Sequence, residues 1–307
     1  INKDSFVFKI MKEPLIIINN NSNNSKSLIA HLGSLKIPYY LSNHYTLTAK
    51  ELNERVLQGY RTFIICGGDG ALHRFINEVM KLPIIIRKEI SIGIVPSGRA
   101  NDLARYMGIP LEFNRALELA MKGKTKNIDL IKVNKNYVVT GGGLGLPTET
   151  IQEIDSLSKR IIGNLLKKRL GEFIYFLYTL KKFIFGYRGV EIKYDKMQSY
   201  EELMAIYFLN QPFIGKRFNL APGAKNNDGY FEIKRIKKTN NIFTNLRVLS
   251  LGIKGRLSEL PIVVEDKTKK IVIRTNKEIY FMGDGELFDQ NNNFEISIVP
   301  KAIKVIC

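Results

Sequence analysis

The sequence contains few cysteines and no long apolar segment. Its 307 residues include two cysteines, Cys66 and Cys307, whose spacing suits neither a metal site nor a disulfide framework. Reduced thiols and a reducing compartment are therefore expected. The longest strongly apolar run, Phe173–Leu180, is too short to cross a bilayer. The N-terminal segment INKDSFVFKIMKEPL lacks the uninterrupted apolar core of a signal peptide, which predicts a cytosolic protein.

Acidic residues are scarce relative to basic ones. The chain has 29 Asp and Glu against 47 Lys and Arg, which gives a net charge of +18. This excess favours a polyanionic partner such as nucleic acid, an anionic membrane surface or a phosphorylated substrate. A lysine-rich surface that only serves solubility explains the same charge. Because no RNA- or DNA-binding motif accompanies it, nucleic acid is not the expected partner.

The apolar pattern changes along the chain. Near the N-terminus, short apolar runs alternate with helical spacing, which predicts a doubly wound parallel sheet with helices on both faces. After a helical stretch at about 156–187, many short strands separated by turns predict an antiparallel β-sandwich. We therefore predict an α/β domain at 13–126 and a β-sandwich domain at 127–295. The early helices are expected at 24–35, 48–60 and 72–82.

Two glycine-rich segments leave predicted strands and enter predicted helices. The first, CGGDG, places Asp69 among three glycines, and the second, IVPSGRANDLAR, passes Gly98 before Asn101 and Asp102. In a parallel sheet, ligands bind beyond the carboxyl ends of the strands. Glycines expose backbone N–H groups there, and a helix N-terminus favours phosphate. We interpret the two segments together as a phosphate-sized cradle. The first segment by itself is also explained by an ordinary strand-to-helix turn in which Asp69 caps the helix.

Both segments resemble motifs of the diacylglycerol-kinase-type lipid kinases. That family includes bacterial lipid kinases and the sphingosine and ceramide kinases, with NAD kinases as distant relatives. GGDGALHRFINEV is similar to its GGDGT-x-N-E-V, and PSGRANDLAR to its P-x-G-T-x-N-D-x-A-R. Further similar segments follow in the family's order: YVVTGGGLG, APGAKNNDGYFEI, GIKGRLSELP, MGDGE and FEISIVPKAIKVI. The resemblance implies an N-terminal α/β domain that binds nucleotide, a C-terminal β-sandwich that binds the lipid, and an active-site cleft between them. It also implies a last strand, at about 296–307, that returns to the first domain.

The resemblance implies transfer of a γ-phosphoryl group from ATP, with Mg²⁺, to a lipid hydroxyl. It makes Glu286 the general base, with Asp284 orienting it, and places Asp69 at the nucleotide or its Mg²⁺. The implied nucleotide-binding residues are Asn19, Ser42, Gly67, Gly68, Asp69, Gly70, Gly98, Arg99, Asn101 and Asp102. The turn KNNDGY resembles a structural Mg²⁺ site whose ligands are the Asp228 carboxylate and the backbone carbonyls of Lys225 and Tyr230. By itself, GDGELF is more typical of a plain hairpin turn that carries its acids by chance, but its place in the order of motifs favours a functional turn.

Four residues depart from the family's motifs near the nucleotide. Ala71 and Arg99 replace threonines, and His73 and Arg74 replace the Asn-Glu pair. These changes remove two hydroxyls and a carboxylate, and they add two charges able to hold phosphate. Altered donor geometry, a different phosphorylated ligand and weak catalysis all remain open. A catalytically inactive lipid- or nucleotide-binding protein on the same fold is therefore the main competing hypothesis.

The helical stretch Ser158–Arg188 mixes eight Lys and Arg with many apolar side chains. Such a helix can lie on an anionic bilayer and bring the cleft to a membrane lipid, or it can simply cover the sandwich. We expect a lipid kinase that acts on diacylglycerol or a related lipid and associates peripherally with membrane. A nucleic-acid-binding protein and an enzyme with a soluble, NAD-like substrate are two further hypotheses. The sequence names neither the lipid nor the oligomeric state, for which a homodimer is one option.

Overall fold

The computed structural model describes residues 12–19, 29, 32–33, 39–42, 46–158, 173–194 and 199–307. In this part of the chain, every helix falls short of the length and apolarity that a membrane crossing requires. The strands are β1 Leu15–Asn19, β2 Tyr39–Ser42, β3 Thr62–Gly67, β4 Ser91–Pro96, β5 Thr125–Val133, β6 Asn136–Val138, β7 Gly141–Gly145, β8 Val190–Tyr194, β9 Glu201–Leu209, β10 Phe213–Ile214, β11 Phe218–Asn219, β12 Phe231–Lys237, β13 Val263–Thr268, β14 Lys270–Gly283 and β15 Glu286–Ile306. The helices are α1 Ala49–Leu57, α2 Asp69–Met80, α3 Ile84–Arg87, α4 Asp102–Tyr106, α5 Phe113–Lys122, α6 Leu146–Ser158, α7 Phe173–Phe185 and α8 Ile242–Lys254, with a 3₁₀ turn at Leu257–Glu259.

The N-terminal region is a parallel sheet in the order β2-β1-β3-β4. The inner strands read as continuous apolar runs because helices cover both faces of such a sheet. Phe63 of β3 and Phe75 of α2 are fully buried, with ring centroids 6.0 Å apart. The predicted helix at 48–60 is found as α1 and the one at 72–82 as α2. The predicted helix at 24–35 lies almost entirely outside the described residues.

The C-terminal region is built of antiparallel strands in the order β13-β12-β9-β7-β14-β15. Strand β8 pairs with both β14 and β9, so that these strands fold over a shared core. Fully buried phenylalanines fill that core, where Phe208 stacks on Phe281 and the Phe294 ring is tilted against it. The α/β and β-sandwich fold class predicted from the sequence is confirmed. Of the predicted helical stretch at 156–187, residues 159–172 lie outside the described part.

Strand β15 joins the two regions. Its long middle pairs with β14 and β5, and its last residues pair in parallel with β4, Lys304 opposite Ser91 and Val305 opposite Ile92. Strand β5 runs across the predicted boundary between residues 126 and 127 while it pairs with β15. The exact domain limits therefore stay a prediction. The pairing of β15 with β4 means that the first and second regions share one continuous sheet.

Candidate active site

The two glycine segments meet backbone to backbone. Strands β3 and β4 are neighbours in register, with Gly67 opposite Pro96, so their carboxyl ends lie side by side. A Cβ placed on Gly98 would lie 2.4 Å from Gly68 Cα, and one on Gly68 would lie 2.8 Å from Gly98 Cα. Only glycine allows this approach. The segments therefore form one continuous wall of exposed backbone at the edge of the sheet.

Asp69 connects the two segments. It is the first residue of α2, whose N-cap is Gly68, and its carboxylate accepts hydrogen bonds from the backbone N–H of Asn101 and Asp102, each at 2.8 Å. Burial raises the pKa of Asp69 and the charge of Asp284 adds to this, while the two N–H donors lower it. Asp69 thus supplies the carboxylate that the N-terminus of α4 needs. Its predicted contact with nucleotide or Mg²⁺ stays a prediction.

The second segment turns sharply at Asn101, which has a left-handed φ of 51°. The Asn101 side chain bonds the backbone of Gly98 twice, through Oδ1 from the N–H and through Nδ2 to the carbonyl. The Asp102 carboxylate accepts from the backbone N–H of Gly215 and Lys216, at 2.6 and 2.7 Å. Gly215 and Lys216 lie between β10 and β11 in the second region. Asp102 therefore ties the glycine wall to the sandwich.

The Asp284–Gly285 dipeptide forms the two-residue turn between β14 and β15. Both residues have positive φ, 51° and 83°, as a type I′ hairpin turn requires. GDGELF thus forms a hairpin turn, as predicted, and the same turn places two carboxylates at the site. Asp284 points inward and is buried, whereas the Glu286 side chain is 43 % exposed. The turn gives its two acids opposite environments.

Asp284 is saturated with hydrogen-bond donors. Its oxygens accept from the backbone N–H of Val139 and Thr140, from the Thr140 hydroxyl at 2.7 Å, and from His73 Nδ1 at 2.7 Å. Burial raises the pKa of Asp284, but the hydrogen bond and charge of His73 with the two N–H donors outweigh burial and leave the pKa lowered. Asp284 is therefore an ionised anchor for the turn.

Glu286 lies over the first turn of α2. A Cβ on Gly70 would lie 2.8 Å from Glu286 Oε1, and the Arg74 guanidinium is 3.6 Å from the same oxygen. Glu286 is the more accessible of the two acids of the turn. It is consequently the better placed to accept a proton from a bound hydroxyl.

His73 and Arg74 depart from the family motif, and in sequence they look like losses. In the structure they contact the two carboxylates of the turn, His73 with Asp284 and Arg74 with Glu286. The Asn77 side chain spans the His73 carbonyl and the backbone of Tyr137, which fixes this turn of α2 against β6. The sequence holds one signal for these pairs. Two basic residues, His73 and Arg74, replace Asn-Glu in one motif, while the acids Asp284 and Glu286 are retained in another.

The site opens into an apolar cavity of about 440 Å³. Its polar end includes Gly68, Gly98, Thr140 and Asp284, and its sides are formed by residues such as Leu146, Phe176, Phe183, Met204, Leu220 and Val248. Gly70 and Arg99 also line it, while the Glu286 carboxylate lies beside it, against Gly70. A chamber of this size and polarity is typical of small-molecule sites and here suits an amphiphile.

Two further predicted residues follow the neighbouring strands. Asn19 and Ser42 are paired at the carboxyl ends of β1 and β2, at the same edge of the sheet as the glycine segments, but their side chains are outside the described set.

The turn of Lys225, Asp228 and Tyr230 is separate from the site. Asp228 is ion-paired with Lys267 at 2.8 Å, and its other oxygen accepts from Tyr230 N–H. Both Asp228 oxygens thus have protein partners in this conformation, and the Mg²⁺ site at this turn stays a prediction.

Substitution of Gly98 by alanine is expected to separate the two segments. The added methyl would overlap Gly68 Cα, and overpacking of this kind costs about 1–3 kcal/mol of unfolding free energy. Urea denaturation should show that loss. Gly223→Ala is the control, since nothing lies within 4 Å of its added Cβ. Equal stability of the two variants would contradict the close approach.

Comparisons with known proteins identify the family to which this chain belongs. The sequence model of the diacylglycerol kinase catalytic domain matches residues 14–133. A model described as the YegS C-terminal NAD kinase beta sandwich-like domain matches residues 153–307, about half of the chain. The chain belongs to the diacylglycerol kinase family. It is accordingly an enzyme of the lipid kinase class, as the resemblance of its motifs implied.

Relatives of this family are similar over most of their length. The chain is 27 % identical to a diacylglycerol kinase of Bacillus subtilis over 253 residues, which are 81 % of this chain and 80 % of the relative. It is 27 % identical to one of Staphylococcus carnosus, over 76 % and 73 % of the two chains. A solved structure of a diacylglycerol kinase from Bacillus anthracis covers 97 % of both chains at 21 % identity, with a TM-score of 0.71. This last likeness shows that the two proteins share the fold.

Proposed function

We propose that the protein transfers the γ-phosphoryl group of ATP to the hydroxyl of an acyl lipid, with Glu286 as the general base. Family membership supports the kinase chemistry, and the retained turn of Asp284 and Glu286 supports catalytic competence. The lipid is diacylglycerol or a related lipid. The protein is cytoplasmic and associates peripherally with membrane, where its substrate resides.

The observation that carries this proposal is the continuity of the cavity. One end is the glycine wall, where backbone N–H groups suit phosphate, and most of the remaining lining is apolar. A lipid with its hydroxyl at the polar end and its acyl portion between Phe176, Phe183 and Val248 satisfies both environments. A soluble substrate leaves the apolar side chains without a counterpart. The cavity thus favours a lipid over an NAD-like substrate.

In the proposed reaction, Glu286 removes the proton from the lipid hydroxyl while the hydroxyl oxygen forms a bond to the γ-phosphorus. The bond from the γ-phosphorus to the bridging oxygen breaks, and ADP leaves with that oxygen. Asp284 stays ionised and holds the turn through its N–H, hydroxyl and His73 donors. Gly68, Gly70 and Gly98 let the phosphates approach the backbone, and Arg99 adds a positive charge.

Mg²⁺ is proposed to enter with ATP. Among the described residues, no three metal-binding side chains converge. Asp69 and Asp102 have both carboxylate oxygens bound to backbone N–H groups, and Glu286 is proposed to act as the base, so the phosphates of ATP would hold the cation. The cation supplies charge neutralisation for the phosphates.

The test is transfer of labelled γ-phosphate to defined acceptors. The purified protein, with ATP and Mg²⁺, is offered diacylglycerol, monoacylglycerol, a sphingoid base or phosphatidylglycerol in mixed vesicles, and NAD⁺ in solution. Label in one of the lipids, in proportion to protein, is the expected result. Label only in NAD⁺ would establish a soluble substrate. Bound ATP without any labelled acceptor would overturn phosphoryl transfer.

The second candidate is a lipid- or nucleotide-binding protein without catalysis on the same fold. The specific observation in its favour is the Arg74–Glu286 contact, since a cation near the base competes with a substrate hydroxyl for that carboxylate. This candidate predicts binding of lipid and ATP and no transfer. The same experiment therefore separates the two.

A further inference from the structure

Helices α7 and α8 enclose part of the cavity. The two helices contact each other. From α7, Phe176 and Phe183 line the cavity, and from α8, Val248 and Leu249 do. One face of each helix is thus occupied by the interior. Other residues of both helices are exposed to solvent.

Each helix has an exposed apolar stripe, which lies beside its cavity-lining residues. The stripes share the spacing i, i+4 and i+11, which places the members of each on one helical face. These exposed residues are Phe173, Leu177 and Ile184 on α7 and Ile242, Leu246 and Ile253 on α8. Phe185 and Phe243 are more exposed still, 82 % and 75 %. Exposed apolar surface grouped in this way marks an interaction surface.

The surrounding charge is positive. Residues 237–256 contain five Lys and Arg and no Asp or Glu, and of these five Lys238 and Arg256 are ion-paired with Glu202 and Glu259. Arg247 and Lys254 are exposed on α8 itself. On α7, Lys181 and Lys182 are ion-paired with glutamates of α6, so the positive field comes mainly from the α8 side. Apolar stripes beside basic side chains complement an anionic lipid headgroup layer over its hydrocarbon.

Phe173 connects this surface to the interior. It lines the cavity and is 42 % exposed. It therefore lies at the mouth of the cavity, on the same stripe as Leu177 and Ile184. A lipid that moves from a bilayer under α7 into the cavity stays in contact with apolar side chains.

We propose that the exposed sides of α7 and α8 form the surface on which this protein docks on an anionic bilayer. The surface comprises the two apolar stripes, Phe185, Phe243, Arg247 and Lys254. The passage of substrate past Phe173 rests on the proposed function, but docking itself does not require catalysis. Binding is measured without ATP, so a failure of docking and a failure of phosphoryl transfer are separate results.

The experiment is flotation with vesicles of phosphatidylglycerol and phosphatidylcholine, compared with phosphatidylcholine alone. Wild-type protein is expected to bind the anionic vesicles, less so at high salt. Phe185→Ser with Phe243→Ser should weaken binding at least about tenfold, because two apolar side chains lose their insertion. Arg247→Glu with Lys254→Glu should weaken it through charge. Activity on a short-chain, monomeric lipid should be unchanged in both.

The matched controls lie on the N-terminal region. Ile85→Ser removes an apolar residue that is 73 % exposed on α3, and Lys50→Glu with Lys122→Glu reverses two exposed charges. These variants should bind as wild type. Undiminished binding of both test variants would overturn the proposal, as would weakening by the controls alone. A wild-type dimer that Phe185→Ser with Phe243→Ser dissociates, with no vesicle binding, would make the surface a contact between two copies instead.

Discussion

Replacement of Glu286 by glutamine is expected to lower kcat by roughly 10²–10⁴-fold, the usual contribution of a general base. Glutamine keeps the shape and the contact with Gly70, but it cannot take the proton of the lipid hydroxyl. Because the proposed ATP cradle is formed by backbone groups, the KM for ATP should change little. Steady-state transfer of labelled phosphate to lipid measures both parameters.

The control for this variant is Glu278→Gln. Glu278 lies on β14, is exposed, and loses the same charge upon substitution. Its activity should equal that of the wild type. A loss of less than about tenfold in Glu286→Gln would assign the base to another group and contradict the proposed mechanism. An equal loss in both variants would indicate a charge effect on binding of the substrate rather than base catalysis.

Replacement of Asp284 by asparagine is expected to cost about 3 kcal/mol of unfolding free energy and most of the activity. The new amide NH₂ would face N–H groups and a hydroxyl that now donate to a carboxylate. The left-handed backbone is not the cause, since asparagine tolerates it. Glu286, two residues on, would lose its position with the turn. Urea unfolding and the transfer assay measure the two losses.

The difference in unfolding free energy between wild type and Asp284→Asn depends on pH with a definite sign. The pKa of Asp284 is lowered in the folded protein, so its stabilisation is fully present above the unfolded value of about 3.9 and is lost as pH falls through the folded pKa. The gap in unfolding free energy between wild type and Asp284→Asn should shrink as pH falls below about 3.9. A gap that stays unchanged on that acidification would contradict the ionised anchor.

Asp289→Asn is the matched control for Asp284→Asn. Asp289 also has a left-handed φ, 53°, but it is half-buried and accepts from the Asn134 side chain rather than from a set of backbone donors. Its loss of stability should be clearly smaller. Comparable losses in the two variants would trace the effect to the turn backbone and not to the donors around Asp284.

The sequence by itself determined the order of the elements and the residues of the glycine loops. Apolar runs and helical spacing distinguish the α/β half from the β half because periodicity is local. Asp-Gly at 284–285 predicts its hairpin for the same reason. The motif resemblance predicted which acids belong to the site, and the family comparison confirms the class of enzyme. None of these inferences needed contacts between distant segments.

Only the tertiary structure decided how the carboxylates are used. Asp69, Asp102 and Asp284 look alike in sequence, yet each accepts from donors that lie far away along the chain, and Glu286 is the most exposed acid of the group. His73 is separated from Asp284 by 211 positions, so local sequence could not connect the substituted histidine with its partner. The continuity of cavity and docking surface likewise depends on how α7 packs beside α8. Burial and donor saturation are properties of packing, and local spacing does not encode them.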